Sequence, residues 1–306
     1  MEKFSDRINF EFEGRVVDVK INDSSKRISV SGVQEKFPGI VENGEIRLSR
    51  EGERSTHILK PAPWDPTLSE RRLVPVNEHL TMQIASRVYG IVTAENTLCF
   101  TPKGKPVYVT KRFDIDFSGQ KYLMEDFASI LGRMTNDGSV QYKYGGSYED
   151  IAVAIRKYVP AWIVDLEMFF KIVTFNYIFC NGDAHLKNFS LVTINGERRL
   201  SPAYDLLNTS LHILGDDFAL DGGLSPSLTP SPIWASTGHP CRSDFENFAS
   251  LVGLSPVRYN AVLDLFEEIP TSVENMVSAS VLPDKYKRIY MRTVSERTAR
   301  FNRKNV

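Results

Sequence analysis

The chain has 306 residues, of which 42% are hydrophobic and 25% charged, and its formal net charge is -1. This length predicts one large domain or two closely associated lobes with a sizeable core. A nearly neutral chain gives no overall reason to expect nucleic-acid or membrane binding. Its three cysteines are widely separated, which argues against a disulfide framework or a zinc site. The N-terminus lacks the apolar core of a signal peptide and no apolar run is long enough to span a bilayer, so we expect a cytoplasmic protein.

The N-terminal third alternates short apolar runs with turns, a pattern that predicts strands. The runs are RISVSGV, GIVENGEIRLS and THILKPA. An Asn-Gly pair at residues 43–44 predicts a tight hairpin inside the second run. The stretch from Val74 to Gly90 has helical periodicity, with Gly90 as the expected C-cap. Two further strands are expected within residues 97–114, around a Lys-Gly turn.

From about residue 125 the pattern becomes helical. Residues 162–183 are strongly apolar and predict a long helix, buried on most sides, that ends near Asn181 and Gly182. A hairpin with a second Asn-Gly turn, several short amphipathic helices and a basic final helix follow. We therefore predict an α+β, two-lobed protein-kinase-like fold. Its β-rich N-lobe would cover residues 1–115 and its α-helical C-lobe residues 116–306.

The segment NGDAHLKNFS places several polar side chains just before a predicted strand. Phosphoryl transfer from a nucleotide requires a carboxylate near the attacking hydroxyl, ligands for a metal on the phosphates, and a cation. In protein kinases, four residues separate the catalytic aspartate from a metal-binding asparagine, and a second metal-binding aspartate follows a strand hairpin. Asp183, Asn188 and Asp205 have this order and spacing. Asp183 alone could equally cap a helical turn, but the three together predict a catalytic aspartate and two ligands for Mg²⁺.

A kinase N-lobe also needs a lysine on a strand and an acidic partner on the next helix. Lys60 ends the apolar strand THILK, and Glu78 opens the following helical stretch. A solvated lysine, and a glutamate favoured by the helix dipole, are the simpler alternatives. The run RISVSGVQEK could arrange backbone N–H groups around phosphates, but it has a single glycine, and the pattern alone favours an ordinary tight turn.

Taken together, these residues resemble the HipA family of bacterial serine/threonine kinases, the toxins of toxin–antitoxin modules. Seven stretches between about Arg27 and Leu211 look like family signatures in the family's order. They are RISVSGVQEK, THILKPA, VNEHL, KRFD, EDFASILG, NGDAHLKNFS and LSPAYDLLN.

The resemblance implies a role for each matching position. Asp183 would be the catalytic aspartate, and Asn188 and Asp205 would hold Mg²⁺. Ser31, Gly32 and Val33 would form a loop over the phosphates of ATP, and Lys60 and His185 would contact these phosphates. The carbonyl of Lys111 and the N–H of Phe113 would contact the adenine. Asp114 would lie near the ribose. Ser29 matches the family's inhibitory autophosphorylation site, and Ser31 is a second hydroxyl beside it.

The same resemblance implies an ATP- and Mg²⁺-dependent serine/threonine protein kinase that arrests growth as a toxin. The family precedent for its protein substrate is an aminoacyl-tRNA synthetase. About 26 residues precede the glycine-containing loop, which suggests the shorter HipT-like type. Its partner would be a HipS-like antitoxin, a HipB-like antitoxin or both, with DNA bound only through the antitoxin and no membrane.

Two other functions compete with this interpretation. GDAHLKN also resembles the G-D-x-H-x-x-N motif of small-molecule phosphotransferases such as aminoglycoside and choline kinases, and lipid kinases share a related arrangement. SVSGVQEK and KRFD favour the HipA pattern instead. The fold could also act as a non-catalytic protein that binds an antitoxin–DNA complex, although the intact set of Lys60, Asp183, Asn188 and Asp205 argues against a dead kinase.

Overall fold

The computed structural model describes residues 5–12, 34–116, 118–133 and 141–304. The predictions made for Ser29, Ser31, Gly32 and Val33 lie outside the described residues. The strands are β1 Phe37–Glu42, β2 Glu45–Leu48, β3 His57–Pro61, β4 Asn96–Phe100, β5 Pro106–Lys111, β6 Leu123–Asp126, β7 Ser190–Ile194 and β8 Glu197–Leu200. The α-helices are α1 Val74–Arg87, α2 Phe127–Ile130, α3 Tyr148–Tyr158, α4 Trp162–Ile178, α5 Pro232–Thr237, α6 Arg242–Val252, α7 Pro256–Leu263, α8 Thr271–Ala279 and α9 Asp284–Phe301. Single 3₁₀ turns span Arg71–Leu73, Gln141–Tyr144, Leu186–Asn188, Thr209–Leu211 and Asp264–Phe266.

The first five strands form one antiparallel sheet in the order β2-β1-β3-β5-β4. The predicted hairpin between β1 and β2 is confirmed, because Asn43 and Gly44 have φ of 52° and 78° in its turn. These positive angles are what a two-residue hairpin turn requires. Strand β3 lies in the middle of the sheet, so Lys60 near its end is held by neighbours on both sides.

The two faces of this sheet are buried differently. On one face, apolar side chains form a small core of their own: Ile8, Ile46, Leu59, Cys99, Val107 and Val109. Helix α1 packs against β4 and β5, and its apolar residues join the main core together with those of the helical part. Because α1 contacts both the sheet and the helical part, its position links the two halves of the cleft between them.

Helix α4 is the centre of the helical part and packs against α3, α7 and α9. It ends at Ile178, earlier than the predicted end near Asn181 and Gly182. The chain leaves the helix because Cys180 adopts a left-handed conformation, with φ of 56°. The side chain of Asn181 then donates a 3.0 Å hydrogen bond to the side chain of Asn176, which holds the reversed chain against the helix.

A second sheet, in the order β6-β7-β8, covers one edge of the helical part. Its β7–β8 hairpin was predicted, and Asn195 and Gly196 form the turn with φ of 51° and 81°. The α+β architecture with a β-rich part before a helical part is confirmed. The division at residues 115 and 116 stays a prediction, although β5 ends at Lys111 and β6 belongs to the second sheet. None of the helices in the described ranges is both long and apolar enough to cross a membrane.

Candidate active site

A cleft of about 520 Å³ opens between the five-stranded sheet and the helical part. One end is lined by apolar side chains, among them Ile58, Ala94, Phe113 and Met124. The other end is lined by charged and polar groups: Lys36, Lys60, Lys143, His185, Lys187 and Asp205. A cleft that is apolar at one end and strongly cationic at the other suits a flat base attached to a polyanion.

Lys60 is almost fully buried and makes two ion pairs in the cleft. Its Nζ lies 2.6 Å from Oε1 of Glu78 on α1, and it also contacts Oδ1 of Asp205. Burial alone would lower the pKa of Lys60, but the charges of Asp205 and Glu78 outweigh this effect and raise that pKa above its ordinary value. The pairing of Lys60 with Glu78, expected from the sequence, is therefore present. It ties α1 to β3, because removing Lys60 would leave Glu78 as a buried charge without its cationic partner.

Asp183 lies in the loop between α4 and β7, next to His185 of the cleft lining, and only 3% of it is exposed. Its Oδ1 accepts a 3.1 Å hydrogen bond from the Tyr144 hydroxyl. Its backbone N–H donates to Oδ1 of Asn181 at 3.4 Å, and its carbonyl accepts from the N–H of His185 at 2.8 Å. These contacts hold the Asp183 carboxylate in one position beside His185.

The loop that carries Asp183 is fastened from two sides. Thr209 Oγ1 donates to the Cys180 carbonyl and accepts from the Gly182 N–H, both at 2.9 Å. A Cβ on Gly182 would lie 3.1 Å from the carbonyl oxygen of Asp216, so this close approach favours glycine. On the other side, the Tyr148 hydroxyl donates a 3.0 Å hydrogen bond to the carbonyl of Ala184. The loop is therefore held before any ligand binds.

Asn188 and Asp205 bring two oxygen ligands together. Asn188 donates from Nδ2 to Oδ2 of Asp205 at 3.3 Å, and its own Oδ1 is buried without a hydrogen-bond partner in the described part of the chain. Asp205 has a left-handed backbone with φ of 57°, which turns its carboxylate toward Lys60 and Asn188. Amide and carboxylate oxygens suit Mg²⁺, which keeps waters and phosphate oxygens as its other ligands.

A second kind of metal centre has no support in the described ranges. No group of three or more His, Cys, Asp or Glu side chains there is arranged to hold a metal ion. The three cysteines are buried and free.

His185 lies beside Asp183, with its Nε2 3.9 Å from Oδ1 of that aspartate. Both ring nitrogens are buried without a hydrogen-bond partner among the described residues. Burial, together with the charge of Lys143, lowers the pKa of His185 to about 3. The imidazole is therefore neutral at physiological pH. It can donate one hydrogen bond to a phosphate, but it supplies no positive charge.

The apolar end of the cleft contains the three residues predicted to contact the nucleoside. Lys111 ends β5, and the N–H of Phe113 makes no backbone hydrogen bond to another described residue. The Phe113 ring lies 5.8 Å from the ring of Tyr204 across the cleft. Asp114 is held by Arg112, which donates to its two carboxylate oxygens at 2.9 and 2.6 Å. Asp114 therefore reaches the cleft edge as half of an ion pair, a detail absent from the sequence-based prediction.

Sequence reasoning missed a buried polar network that connects α1 to the segment after Asp205. Asn77 Nδ2 donates to the Asn208 carbonyl at 2.8 Å, and the Asn208 N–H donates to Oδ1 of Asn77 at 3.1 Å. Asn77 Nδ2 also lies 2.9 Å from Nε2 of His212, whose Nδ1 faces the Ser69 carbonyl at 3.0 Å. Asn77 precedes Glu78, so one helical turn fixes both the lysine partner and the chain that carries Asp205. Its only sequence signal was its place in VNEHL.

This network predicts a specific loss of stability in acid. Burial disfavours the charged imidazolium and lowers the pKa of His212 from 6.5 to about 4, although the hydrogen bond to the Ser69 carbonyl and the charge of Glu70 oppose this effect. The unfolded chain takes up a proton as the pH falls through 6.5, whereas the folded chain does so only near pH 4. The stabilisation that neutral His212 gives the folded chain is thus present above pH 6.5 and is lost as the pH falls from 6.5 towards 4. Between pH 7 and pH 5 we expect His212 alone to reduce the free energy of unfolding by about 2 kcal/mol.

Urea unfolding of the parent and of His212→Gln at both pH values checks this expectation. The variant should lose about 2 kcal/mol less on acidification than the parent. An equal loss in both proteins would show that His212 does not titrate in this way.

Comparison with known proteins agrees with the fold. The HipA-like C-terminal domain family matches residues 28–279. The protein named "Putative kinase Y4dM" from Sinorhizobium fredii is 31% identical over 219 residues, which cover 66% of this chain and 50% of that protein. "Putative kinase Y4mE" from the same organism is 29% identical over 189 residues, 60% of this chain and 43% of that protein. A "Putative kinase" of Haemophilus influenzae is 27% identical over 193 residues, 60% of this chain and 53% of that protein.

Among solved structures, the fold is similar to a chain of the Shewanella oneidensis MR-1 toxin–antitoxin complex of HipA, HipB and operator DNA. The TM-score is 0.69 at 20% identity, over 92% of this chain and 67% of that chain. The kinase-like two-lobed architecture predicted from the sequence is thereby confirmed. The chain spans about half the length of the curated relatives that it matches.

Proposed function

Because this chain belongs to the HipA-like C-terminal domain family, we propose that it is a kinase that transfers the γ-phosphoryl group of ATP to a serine or threonine of a protein. One observation carries the proposal. Lys60, paired with Glu78, contacts Asp205 in the cleft, Asn188 donates a hydrogen bond to the same Asp205, and His185 of the Asp183 loop lines the cleft. Side chains from β3, α1, the Asp183 loop and the segment after β8 thus meet in an arrangement that would suit phosphoryl transfer.

Asp183 is the proposed catalytic aspartate. Its carboxylate would orient the acceptor hydroxyl and take up its proton, and the Tyr144 hydroxyl would hold the carboxylate in position. Lys60 would bind phosphate oxygens while Glu78 keeps its ammonium group in place. His185 would donate one hydrogen bond to a phosphate as a neutral imidazole. The fixed geometry of the loop limits the reorganisation needed at the moment of transfer.

Asn188 and Asp205 are the proposed ligands of Mg²⁺, and the buried, unpartnered Oδ1 of Asn188 supports this assignment. The ion would neutralise charge that develops on the phosphate oxygens. Binding it requires Asp205 to share its carboxylate between the metal and Lys60, since both oxygens already face donors. At the other end of the cleft, Lys111, Phe113 and Asp114 are the proposed contacts to the nucleoside.

The family resemblance extends the proposal to a biological role. We propose a growth-arresting toxin of a toxin–antitoxin module, with an aminoacyl-tRNA synthetase as a candidate substrate. The solved relative from Shewanella oneidensis is in complex with HipB and operator DNA. That complex supports a HipB-like antitoxin as partner, with DNA bound only through it, and a HipS-like antitoxin stays the alternative. The loop containing Ser31, Gly32 and Val33 would cover the phosphates, and Ser29 or Ser31 would be autophosphorylated.

Mass spectrometry of the protein after incubation with ATP and Mg²⁺ tests the reaction. The starting material is first shown to be unphosphorylated, and Asp183→Asn is treated in parallel. We expect phosphate on Ser29 or Ser31 of the parent alone. An unmodified parent would contradict protein phosphorylation in this form and favour a small-molecule or lipid kinase, or a binding protein. Phosphate on both proteins would remove Asp183 from the proposed mechanism.

A further inference from the structure

The lysines at the polar end of the cleft differ in how their charge is balanced. Lys60 is compensated by two carboxylates. Lys36 is 45% exposed at its side chain and lies 3.6 Å from Asp205, and Lys187 is exposed to solvent. Lys143 is different, because it is only 6% exposed and yet has no carboxylate within 4.0 Å among the described residues. A buried ammonium group is costly unless something negative compensates it.

The position of Lys143 is set by the catalytic loop. It lies in the 3₁₀ turn Gln141–Tyr144, which contacts the turn Leu186–Asn188. The next residue is Tyr144, the hydrogen-bond donor to Asp183. The ammonium group of Lys143 lies 5.2 Å from the centre of the Tyr144 ring, and the residue lines the cleft together with His185 and Asp205.

The positively charged groups around Lys143 favour the binding of an anion at this point of the cleft. Burial lowers the pKa of Lys143, the charge of Asp183 opposes this effect, and the neighbouring Lys187 and Lys36 add to it. His185, beside the same aspartate, carries no charge at physiological pH. A phosphate group bound here would compensate several positive charges at once.

We propose that Lys143 binds the γ-phosphoryl group of ATP and stabilises it during transfer, an inference that rests on the proposed function. The acceptor oxygen forms a bond to the γ-phosphorus while the bond from that phosphorus to the bridging oxygen of ADP breaks. The electron pair of the broken bond leaves with ADP, and the hydroxyl proton passes to Asp183. Lys143 forms no covalent bond in this step. Its ammonium group donates hydrogen bonds to the oxygens on which negative charge is spread.

In this assignment, lysines from the two halves of the cleft bind different phosphate groups of ATP. Lys60 belongs to the sheet and would contact phosphates that stay with ADP or join it to the γ-phosphate. Lys143 belongs to the helical part and lies on the side of Asp183, where the γ-phosphate must meet the acceptor. Loss of Lys143 should therefore weaken the binding of ATP more than the binding of ADP. Loss of a residue with only a structural role would weaken the binding of both nucleotides.

The test compares Lys143→Met with Lys143→Arg and with Lys285→Met, which removes an exposed lysine on α9 outside the cleft. Calorimetry measures the affinity of each protein for ADP and for ATP with Mg²⁺, and a phosphate-release or peptide-phosphorylation assay measures kcat. Lys143→Met should lower kcat by about 100-fold and leave ADP affinity within about twofold of the parent. Lys143→Arg should recover at least about tenfold of the loss, and Lys285→Met should stay within about threefold of the parent.

Each outcome separates this inference from the proposed function. Transfer by Lys143→Met at the parental rate would overturn the role of Lys143 and leave the kinase proposal standing. A parent that binds neither nucleotide would overturn both. Equal weakening of ADP and ATP, or loss of thermal stability in Lys143→Met with no rescue by arginine, would assign Lys143 a structural role only.

Discussion

Asp183→Asn is expected to reduce phosphoryl transfer by about 10³-fold or more, because the amide can no longer accept the proton of the acceptor hydroxyl. The substitution keeps the shape of the side chain and an oxygen that can accept from the Tyr144 hydroxyl. The loop should therefore hold its conformation, anchored by Thr209 and Tyr148. Nucleotide affinity should stay within about threefold of the parent, since Asp183 is not among the proposed phosphate or metal ligands.

The matched control for this substitution is Asp284→Asn. Asp284 lies in the first turn of α9, and its side chain is 84% exposed. It is not among the residues that line the cleft. It should transfer phosphate at the parental rate. Single-turnover kinetics with saturating ATP compares the three proteins. Parental activity of Asp183→Asn would contradict the catalytic assignment, whereas equal loss in both variants would point to a general sensitivity to charge.

Asp205→Asn is expected to remove most of the contribution of Mg²⁺ to ATP binding, with a loss of about tenfold or more in affinity. The variant replaces a charged Mg²⁺ ligand by a neutral amide and removes one of the two carboxylates on Lys60. Lys60 keeps its 2.6 Å contact with Glu78, so its charge is still compensated and the sheet should stay folded. Titration of ATP by calorimetry with Mg²⁺ and with a chelator separates the metal-dependent part of the affinity from the rest.

The effect of Mg²⁺ on ATP affinity distinguishes the Asp205→Asn variant from the Asp183→Asn variant. In the parent and in Asp183→Asn, Mg²⁺ should strengthen ATP binding to a similar extent. In Asp205→Asn, the ATP affinities measured with Mg²⁺ and with a chelator should be nearly equal. An undiminished effect of Mg²⁺ in Asp205→Asn would contradict the ligand assignment and leave Asp205 as a partner of Lys60 only.

The sequence by itself predicted the architecture and some of the polar residues that the structure brings together. Asn-Gly pairs at residues 43–44 and 195–196 predicted both hairpins, because only a few residue types tolerate the positive φ of such turns. The spacing of Asp183, Asn188 and Asp205 depends on one loop and one hairpin. Lys60 could be connected to Glu78 because strand and helix follow each other directly. Each of these features is local in the chain, so a local pattern can report it.

Only the tertiary structure decided which further residues complete the site. Tyr144 lies 39 residues from Asp183, and Asn77 lies 131 residues from Asn208, yet each pair shares a buried hydrogen bond. A single tyrosine, asparagine or lysine has no periodicity or spacing by which such a partner could be predicted. The buried position of Lys143, with no carboxylate within 4.0 Å among the described residues, likewise exists only because a turn packs against the loop that carries Asp183. Burial and long-range hydrogen bonding arise when the whole chain folds, and for this reason the sequence did not reveal them.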